Sequence, residues 1–187
     1  MQIESLKSTS FVGLGEMGSA MVRALLRNGV STTVWNRSSE KADPLVAQGA
    51  NLASSLEECI QASPVTLICV SNHDATRELF FDSKIAEAGA GKKLIQISSV
   101  TSAEMMEFAA WAKASSAELL CGQITSYTDE VDEGTANIVC SGPLSLFENC
   151  KDILKAAAGN AYHVGESHGA AATFDKAHLS FNLKLRK

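Results

Sequence analysis

The sequence predicts an α/β fold, in which a doubly wound parallel sheet is followed by the start of a long helix. Three observations lead to this prediction. A short apolar run enters a glycine-rich turn at 12–18, and a helical pattern leaves it. Strand-like and helix-like segments then alternate along the chain, which is typical of a sheet with helices on both faces. The run 65–70 is continuously apolar, as parallel strands covered on both faces usually are.

The elements follow one another in β–α units. The first unit has a strand at 8–12, a helix that ends at Asn28-Gly29, and a second strand at 31–36. Ser38 or Ser39 is expected to cap the next helix, and Ser54 the one after it. The other helices are predicted at 38–48, 55–62, 74–81, 102–113 and 143–158, and the other strands at 50–52, 65–70, 93–97, 118–120, 136–140 and 161–164.

The glycine-rich turn has the G-x-G-x-x-G spacing of a dinucleotide-binding turn. Gly13 permits the tight turn, Gly15 allows a pyrophosphate to approach the backbone, and Gly18 allows the helix to pack closely on the strand. The positive end of the helix dipole then faces the diphosphate. A purely structural glycine turn is the alternative. The flanking strands and helix favour a dinucleotide bound by Gly13, Leu14, Gly15, Glu16, Met17 and Gly18.

The residues after the second strand indicate which dinucleotide binds. NAD-binding folds usually place Asp or Glu there, about 20 residues past the glycines, to hold the ribose hydroxyls. This sequence has Asn36, followed by Arg37, Ser38 and Lys41. An acidic side chain would repel a 2′-phosphate, whereas Arg37 can stack on adenine and pair with that phosphate, and Ser38 and Lys41 add donors. The alternative is a solvated Arg-Ser turn, and the sequence favours NADP over NAD.

Composition and charge exclude several classes of protein. The 187 residues, 45% of them hydrophobic and 20% charged, suffice for one domain, or for one domain with a fragment of a second. The net charge of −5 and the lack of a basic cluster argue against nucleic acid as a partner. The 5 cysteines and 4 histidines have neither metal-ligand nor disulfide spacing, so no metal is expected. Residues 1–7 lack the apolar core of a signal peptide, and no run approaches the ~18 apolar residues of a membrane span. We therefore expect a cytoplasmic protein without a membrane partner.

The carboxyl-terminal segment follows a different pattern. An amphipathic helix is predicted at 169–181, and basic residues then lead to Lys187. Cations suit the carboxyl end of an ordinary helix, but the segment also fits the stump of a longer one. We expect a dinucleotide-binding domain at 1–166 and the beginning of an interdomain helix at 167–187.

These motifs together resemble the amino-terminal domain of the 6-phosphogluconate dehydrogenase superfamily, which includes the β-hydroxyacid dehydrogenases and the imine reductases. The resemblance rests on 12–18 with Trp35-Asn36-Arg37-Ser38, on 69–79, on 97–101 with its following helix, and on 134–136. It implies a Rossmann-type NADP-binding domain, in which Val70, Ser71 and Asn72 also contact the cofactor. It further implies an all-helical second domain that builds a homodimer. We expect this chain to end inside the interdomain helix and to lack that domain.

One position indicates the imine reductase branch. β-Hydroxyacid dehydrogenases carry a catalytic lysine at a fixed distance from a glycine of the interdomain helix, and counting from Gly169 places it at Asp175. Imine reductases characteristically have an acidic residue or tyrosine there, so Phe174-Asp175 resembles that branch. Lys176 is a rival catalytic lysine, and a surface charge is the alternative role of Asp175. The chain departs from the branch at 98–102, where T-N-G-T-P is usual, and at 121–124, where D-G-A-I is usual.

The chemistry of these residues supports the same branch. Hydride transfer to an iminium carbon requires the nicotinamide to be held near the substrate and little else. A lysine suits an alcohol or ketone, whereas a carboxylate such as Asp175 suits a nitrogen cation. Ser99 lies where ligands enter an open sheet, so it is a candidate to orient nicotinamide or substrate, with helix capping nearby as the alternative. Thr125, in a predicted loop at 122–127, is a candidate substrate contact.

The sequence therefore predicts an oxidoreductase that transfers a hydride from NADPH to a small C=N substrate. A β-hydroxyacid dehydrogenase is the alternative within the superfamily. A non-catalytic NADP-binding module, which senses NADPH or binds a protein partner, and a truncated inactive product are the alternatives from other classes.

Overall fold

The computed structural model describes residues 8–185. Residues 1–7, where no signal peptide is predicted, and residues 186–187, the end of the basic tail, lie outside the described part. The described chain forms one eight-stranded sheet with helices on both faces. The predicted Rossmann-type α/β fold is thus confirmed.

The strands follow the order β3-β2-β1-β4-β5-β6-β7-β8 across the sheet. The order reverses between β1 and β4, the switch point at which doubly wound folds bind their ligands. The strands are β1 Ser8–Val12, β2 Ser31–Trp35, β3 Asn51–Leu52, β4 Val65–Ile68, β5 Lys93–Gln96, β6 Glu118–Ile124, β7 Ala136–Ser141 and β8 Gly159–His163.

Helices connect most of the strands. A short 3₁₀-helix, Ser39–Ala42, precedes α2. The α-helices are α1 Glu16–Arg27, α2 Asp43–Val46, α3 Leu56–Gln61, α4 His73–Phe80, α5 Ser83–Gly89, α6 Ser102–Ala114, α7 Thr128–Glu133, α8 Leu144–Ala158 and α9 Ala170–Leu185.

The last two strands do not follow the predicted all-parallel sheet. β7 pairs antiparallel with β6, with Gly122 opposite Cys140, whereas β8 pairs parallel with β7. A parallel crossover needs about a dozen residues or more, and only the segment 125–135 separates β6 from β7. The chain therefore turns back on itself here, and the predicted parallel sheet has one antiparallel pair of strands, β6 and β7.

Several predicted boundaries are also wrong. Residues 122–124, predicted as loop, belong to β6 because they pair with β7. The helix at 38–48 is a 3₁₀-helix followed by α2, and the helix at 169–181 continues to Leu185. Ser55, and not Ser54, caps α3, since its side chain accepts the Glu58 N–H. Helices α5 and α7 were not predicted from the sequence, because their buried residues do not form a clear apolar period.

Two hydrophobic layers cover the sheet. One layer includes Met21 and Leu25 of α1 with Phe147 and Leu154 of α8. The other layer includes Phe80 of α4, with further side chains from α3, α5 and α6. Because both faces are covered, the edge formed by the strand ends is where the sheet can receive a ligand.

α9 begins in close contact with α6. A Cβ at Gly169 would lie 2.1 Å from Ser102 Oγ, so any larger residue there would require the Ser102 side chain to move. The Ala171 N–H donates to Ser141 Oγ at 3.0 Å, which joins the start of α9 to the end of β7. Among residues 8–185, no helix has the length and apolar character that crossing a bilayer requires.

Candidate dinucleotide site

A cavity of about 540 Å³ opens where β1, β2, β4, β5 and β6 end. Its volume is within the usual range of small-molecule sites. Of the residues predicted to bind a cofactor, all but Leu14 and Asn72 line this cavity. These lining residues are Gly13, Gly15, Glu16, Met17, Gly18, Asn36, Arg37, Ser38, Lys41, Val70, Ser71 and Ser99.

The three glycines of the turn are held in different ways. Gly13 has a φ of 96°, and a Cβ there would lie 2.2 Å from the Cys69 carbonyl oxygen. A Cβ at Gly18 would lie 2.1 Å from the Gly13 carbonyl oxygen, so α1 packs against the turn itself. Gly15 is exposed, and a Cβ added there would have no neighbouring atom within 4 Å. Gly13 and Gly18 therefore shape the turn, and Gly15 leaves space in the cavity.

Helix α1 directs its amino-terminal end at the cavity. It begins at Glu16, and Glu16, Met17 and Gly18 all line the cavity. Gly15, the N-cap residue, has no side chain to occupy the first N–H groups of the helix. These N–H groups and the helix dipole favour an anion such as a diphosphate.

Asn36 joins the glycine turn to the end of β2. Its Oδ1 accepts the Leu14 N–H at 2.9 Å, and its Nδ2 donates to the Ser38 carbonyl at 3.0 Å. Leu14 itself is buried, so its contribution to the cavity is this backbone bond. From the sequence, Asn36 was interpreted only as the residue that replaces an acid. Its role as a bridge was missed, although asparagine commonly bonds to backbone near turns.

Positive charge gathers at the β2 side of the cavity. Arg37 and Lys41 both line this side of the cavity. Among the described lining residues, Glu16 is the one with an acidic side chain. The Arg37 guanidinium forms an ion pair with Glu78 of α4 at 3.0 Å, and 72% and 65% of the two side chains are exposed. Arg37 is therefore accessible to a ligand while it is held by Glu78.

A buried polar network forms the floor on the opposite side. Ser98 Oγ accepts the Val70 N–H at 2.9 Å, and Gln96 Nε2 donates to Thr76 Oγ1 at 2.8 Å. Gln123 Nε2 extends towards the Ser98 carbonyl at 3.4 Å. The network links the ends of β4, β5 and β6 under the cavity. It was not predicted, although the glutamine that follows an apolar stretch in both β5 and β6 was an available signal.

The β5–β6 side of the cavity is neutral. It is lined by Ile97, Ser98, Ser99, Ile124 and Ser126. The predicted contacts Thr125 and Asn72 do not line the cavity. Thr125 lies between two lining residues, and its N–H donates to the Asn137 carbonyl. The Asn72 side chain accepts the Ala75 N–H at 2.9 Å, so it caps α4.

Asp175 lies on α9 and outside the lining of the cavity. Burial raises the pKa of its carboxyl group above the ordinary value, and nearby His178 opposes that shift. α9 contacts α6, whose first residues follow the Ser99 loop. Asp175 is therefore on a neighbouring element, and the described residues do not bring it together with Ser99.

The described residues include neither a reactive thiol in the cavity nor a group of metal ligands. Cys69 lines the cavity, but burial raises the pKa of its thiol to about 11, so it stays protonated at neutral pH. Within 8–185, no three His, Cys, Asp or Glu side chains are grouped as metal ligands would be.

The fold and the site together define a Rossmann-type dinucleotide-binding domain. Residues 8–165 match the NAD binding domain of 6-phosphogluconate dehydrogenase. The chain belongs to this family and is an NAD(P)-binding domain.

Named relatives include both enzymes and nuclear factors. An NADPH-dependent reductive aminase of Aspergillus oryzae is 30% identical over 175 residues, which are 93% of this chain and 58% of that protein. The cytokine-like nuclear factor N-PAC of Homo sapiens is 29% identical over 167 residues, which are 88% of this chain and 30% of that protein. The chain thus spans between about a third and three fifths of these relatives.

Solved structures of imine reductases have the same fold. The imine reductase from Myxococcus stipitatus in complex with NADP+ superimposes with a TM-score of 0.88 and 31% identity. The match covers 95% of this chain and 62% of that enzyme. The predicted resemblance to this superfamily, and to its imine reductase branch, is confirmed.

Proposed function

We propose that the chain is the NADP-binding domain of an oxidoreductase that reduces C=N substrates. The observation that carries this proposal is the distribution of charge in the cavity. Asn36 stands where NAD-binding folds have an acid, and Arg37 and Lys41 follow it on the same side of the cavity. The opposite side is neutral and bears hydroxyl groups. Similarity to the imine reductase from Myxococcus stipitatus, solved with NADP+, supports the same choice.

The residues present fit NADPH from end to end. Gly15 and the start of α1 would hold the diphosphate, because the cavity is open at Gly15 and the helix offers free N–H groups. Arg37, Ser38 and Lys41 would hold the 2′-phosphate. Ser99 and Ser126 would contact the nicotinamide end. When bound, NADPH supplies a hydride.

The neutral side of the cavity suits an imine substrate. Among the described lining residues there, none is a lysine, histidine or carboxylate that would exchange a proton with an alcohol. An iminium carbon accepts a hydride without such a group, provided that it is held in position. Asp175, on the neighbouring α9, is the proposed partner of the substrate nitrogen, because a carboxylate suits a nitrogen cation.

Arg37→Ala should weaken the binding of NADPH and have little effect on the binding of NADH. Loss of one charge-assisted contact to the 2′-phosphate should raise the Kd for NADPH roughly ten- to hundredfold and leave that for NADH nearly unchanged. The measurement is a fluorescence titration, in which the indole of Trp35 in the cavity reports binding. Arg27→Ala is the matched control, because Arg27 is an exposed arginine paired with Asp132 away from the cavity. If the unaltered chain binds NADPH and NADH with equal affinity, the proposal that the domain prefers NADP is wrong.

Activity is best tested in a chimera, since the chain covers 62% of the Myxococcus stipitatus imine reductase. This chain, extended with the remaining part of that enzyme, should reduce a cyclic imine with NADPH, and Asp175→Ala should lower kcat at least tenfold. We expect the 187-residue chain alone to bind NADPH with little or no turnover, because hydride transfer needs a closed, water-poor pocket. Asp152→Ala on α8 is a control for loss of one carboxylate. An active chimera that is indifferent to Asp175→Ala would make that residue a surface charge.

A non-catalytic NADP-binding module is the second candidate. It is favoured by the 29% identity with nuclear factor N-PAC and by the departures from the imine reductase pattern at 98–102 and 121–124. A chimera that binds NADPH but turns over neither a cyclic imine nor, in reverse, a 3-hydroxyacid would support this candidate. Turnover of the 3-hydroxyacid alone would favour a β-hydroxyacid dehydrogenase, with Lys176 as the proton carrier to be tested.

A further inference from the structure

The residue at the end of β2 usually distinguishes NAD from NADP. In this chain that residue is Asn36, and its side chain bonds to the backbone instead. NAD-binding folds place an acid at the end of β2, where its carboxylate accepts the ribose hydroxyls. Here Asn36 occupies that position, and its amide is engaged on both sides, by the Leu14 N–H and by the Ser38 carbonyl. Asn36 is therefore held in place as a neutral amide, and it brings no carboxylate to the ribose hydroxyls.

A carboxylate nevertheless reaches the same region from a different element. Glu78 lies on α4, and its Oε2 is 3.0 Å from Nη1 of Arg37. Leu79, the next residue, lines the cavity, and Trp35 and Leu79 also line a shallow depression that includes Glu78. The carboxylate thus stands at the mouth of the cavity, beside the arginine proposed to bind the 2′-phosphate.

Glu78 should affect NAD and NADP in opposite ways. The guanidinium has five N–H donors, so one edge can keep Glu78 while another binds a phosphate. The carboxylate and the phosphate would then be close like charges, and their repulsion opposes NADP. The ribose of NAD carries no such charge and offers a hydroxyl that a carboxylate accepts.

We propose that Glu78 is a specificity-determining residue, which supplies the acid missing from the end of β2 and narrows the preference for NADP(H) over NAD(H). The inference rests on the proposed function and adds a residue to it. Because Glu78 lies on α4, the residues at the end of β2 alone would suggest a stronger preference for NADP(H) over NAD(H) than the site has.

The test compares Glu78→Gln with the unaltered chain by calorimetry. Four probes are titrated: NADP+, NAD+, adenosine 2′,5′-bisphosphate and 5′-AMP. Removing the Glu78 charge should lower the Kd values of NADP+ and of the bisphosphate roughly three- to tenfold. This is the change expected when one exposed contact between like charges is removed. NAD+ and 5′-AMP should bind unchanged or up to about threefold more weakly. The difference should shrink at high salt, because salt screens exposed charges.

Glu148→Gln is the matched control. Glu148 is an exposed glutamate of α8 that pairs with Lys151 at 3.3 Å, and neither residue lines the cavity. Its substitution should change none of the four affinities. If the unaltered chain binds NADP+ but Glu78→Gln leaves the NADP+/NAD+ ratio within about twofold, or weakens NADP+, the inference is overturned and the proposed function stands. If the unaltered chain binds neither dinucleotide, the proposed function itself fails.

Discussion

Gly15→Val should abolish dinucleotide binding and leave the fold intact. Gly15 has an extended backbone with a φ of −71°, which any residue adopts, and a Cβ there meets no atom within 4 Å. The branched side chain would instead fill the part of the cavity where the start of α1 faces the ligand. We expect the Kd for NADPH to rise at least a hundredfold, with Tm changed by no more than a few degrees.

The measurement pairs a fluorescence titration with thermal unfolding of the same sample. Gly89→Val is the matched control, because a Cβ at Gly89 also meets nothing within 4 Å and Gly89 does not line the cavity. It should bind NADPH as the unaltered chain does. Normal NADPH binding by a folded Gly15→Val variant would reduce the glycine motif to a structural turn.

Gly18→Ala should destabilise the domain, whereas Gly15→Val should affect cofactor binding and leave the stability of the domain nearly unchanged. The added Cβ would lie 2.1 Å from the Gly13 carbonyl oxygen, a backbone atom of a turn that is itself packed against Cys69. Neither α1 nor the turn can shift without disturbing the buried layer around Phe11, whose ring is 3.2 Å from the same Cβ position. Overpacking of this kind costs about 1–3 kcal/mol, and a contact with backbone places the expected loss at about 3 kcal/mol or more.

Urea denaturation followed by circular dichroism measures this loss. Gly15→Ala provides the comparison within the same turn, because its methyl group enters open space at an ordinary φ. It should keep the free energy of unfolding of the unaltered chain or raise it by a few tenths of a kcal/mol. A Gly18→Ala domain as stable as Gly15→Ala would mean that α1 does not pack on the turn as closely as described.

The sequence was sufficient where a local pattern alone determines the structure. The strand–turn–helix unit around Gly13 and the apolar run of β4 are specified by neighbouring residues, and both form at the predicted places. Strand β4 ends at Ile68, two residues before the predicted end. The antiparallel β7 was not predictable in this way, because its direction depends on the length of a connection and on which edge of the sheet is free. The short helices α5 and α7 were missed because α7 buries Val131 alone, and α5 buries Ile85 with the small residues Ala88 and Gly89. Neither segment therefore shows a clear apolar period.

The candidate site shows the same division. Its phosphate turn and its cations were found because their spacing along the chain carries the chemistry. The contacts that link distant segments were not found, namely the bridge from Asn36 to Leu14 and the bond from Gln96 to Thr76. A side-chain amide has several possible partners, and only the folded chain selects among them. The ion pair between Arg37 and Glu78 is invisible in sequence for the same reason.

The Asn36 bridge has a consequence for the entropy of binding. It fastens the backbone of the glycine turn at Leu14 to the backbone after β2 at Ser38. The two loops proposed to contact the diphosphate and the adenosine of a dinucleotide are thereby joined into one preorganised unit before any ligand arrives. Ordering a loop at the moment of binding lowers affinity, and here that ordering belongs to folding instead. The adenosine and diphosphate portions of a cofactor therefore meet a surface whose shape is already set.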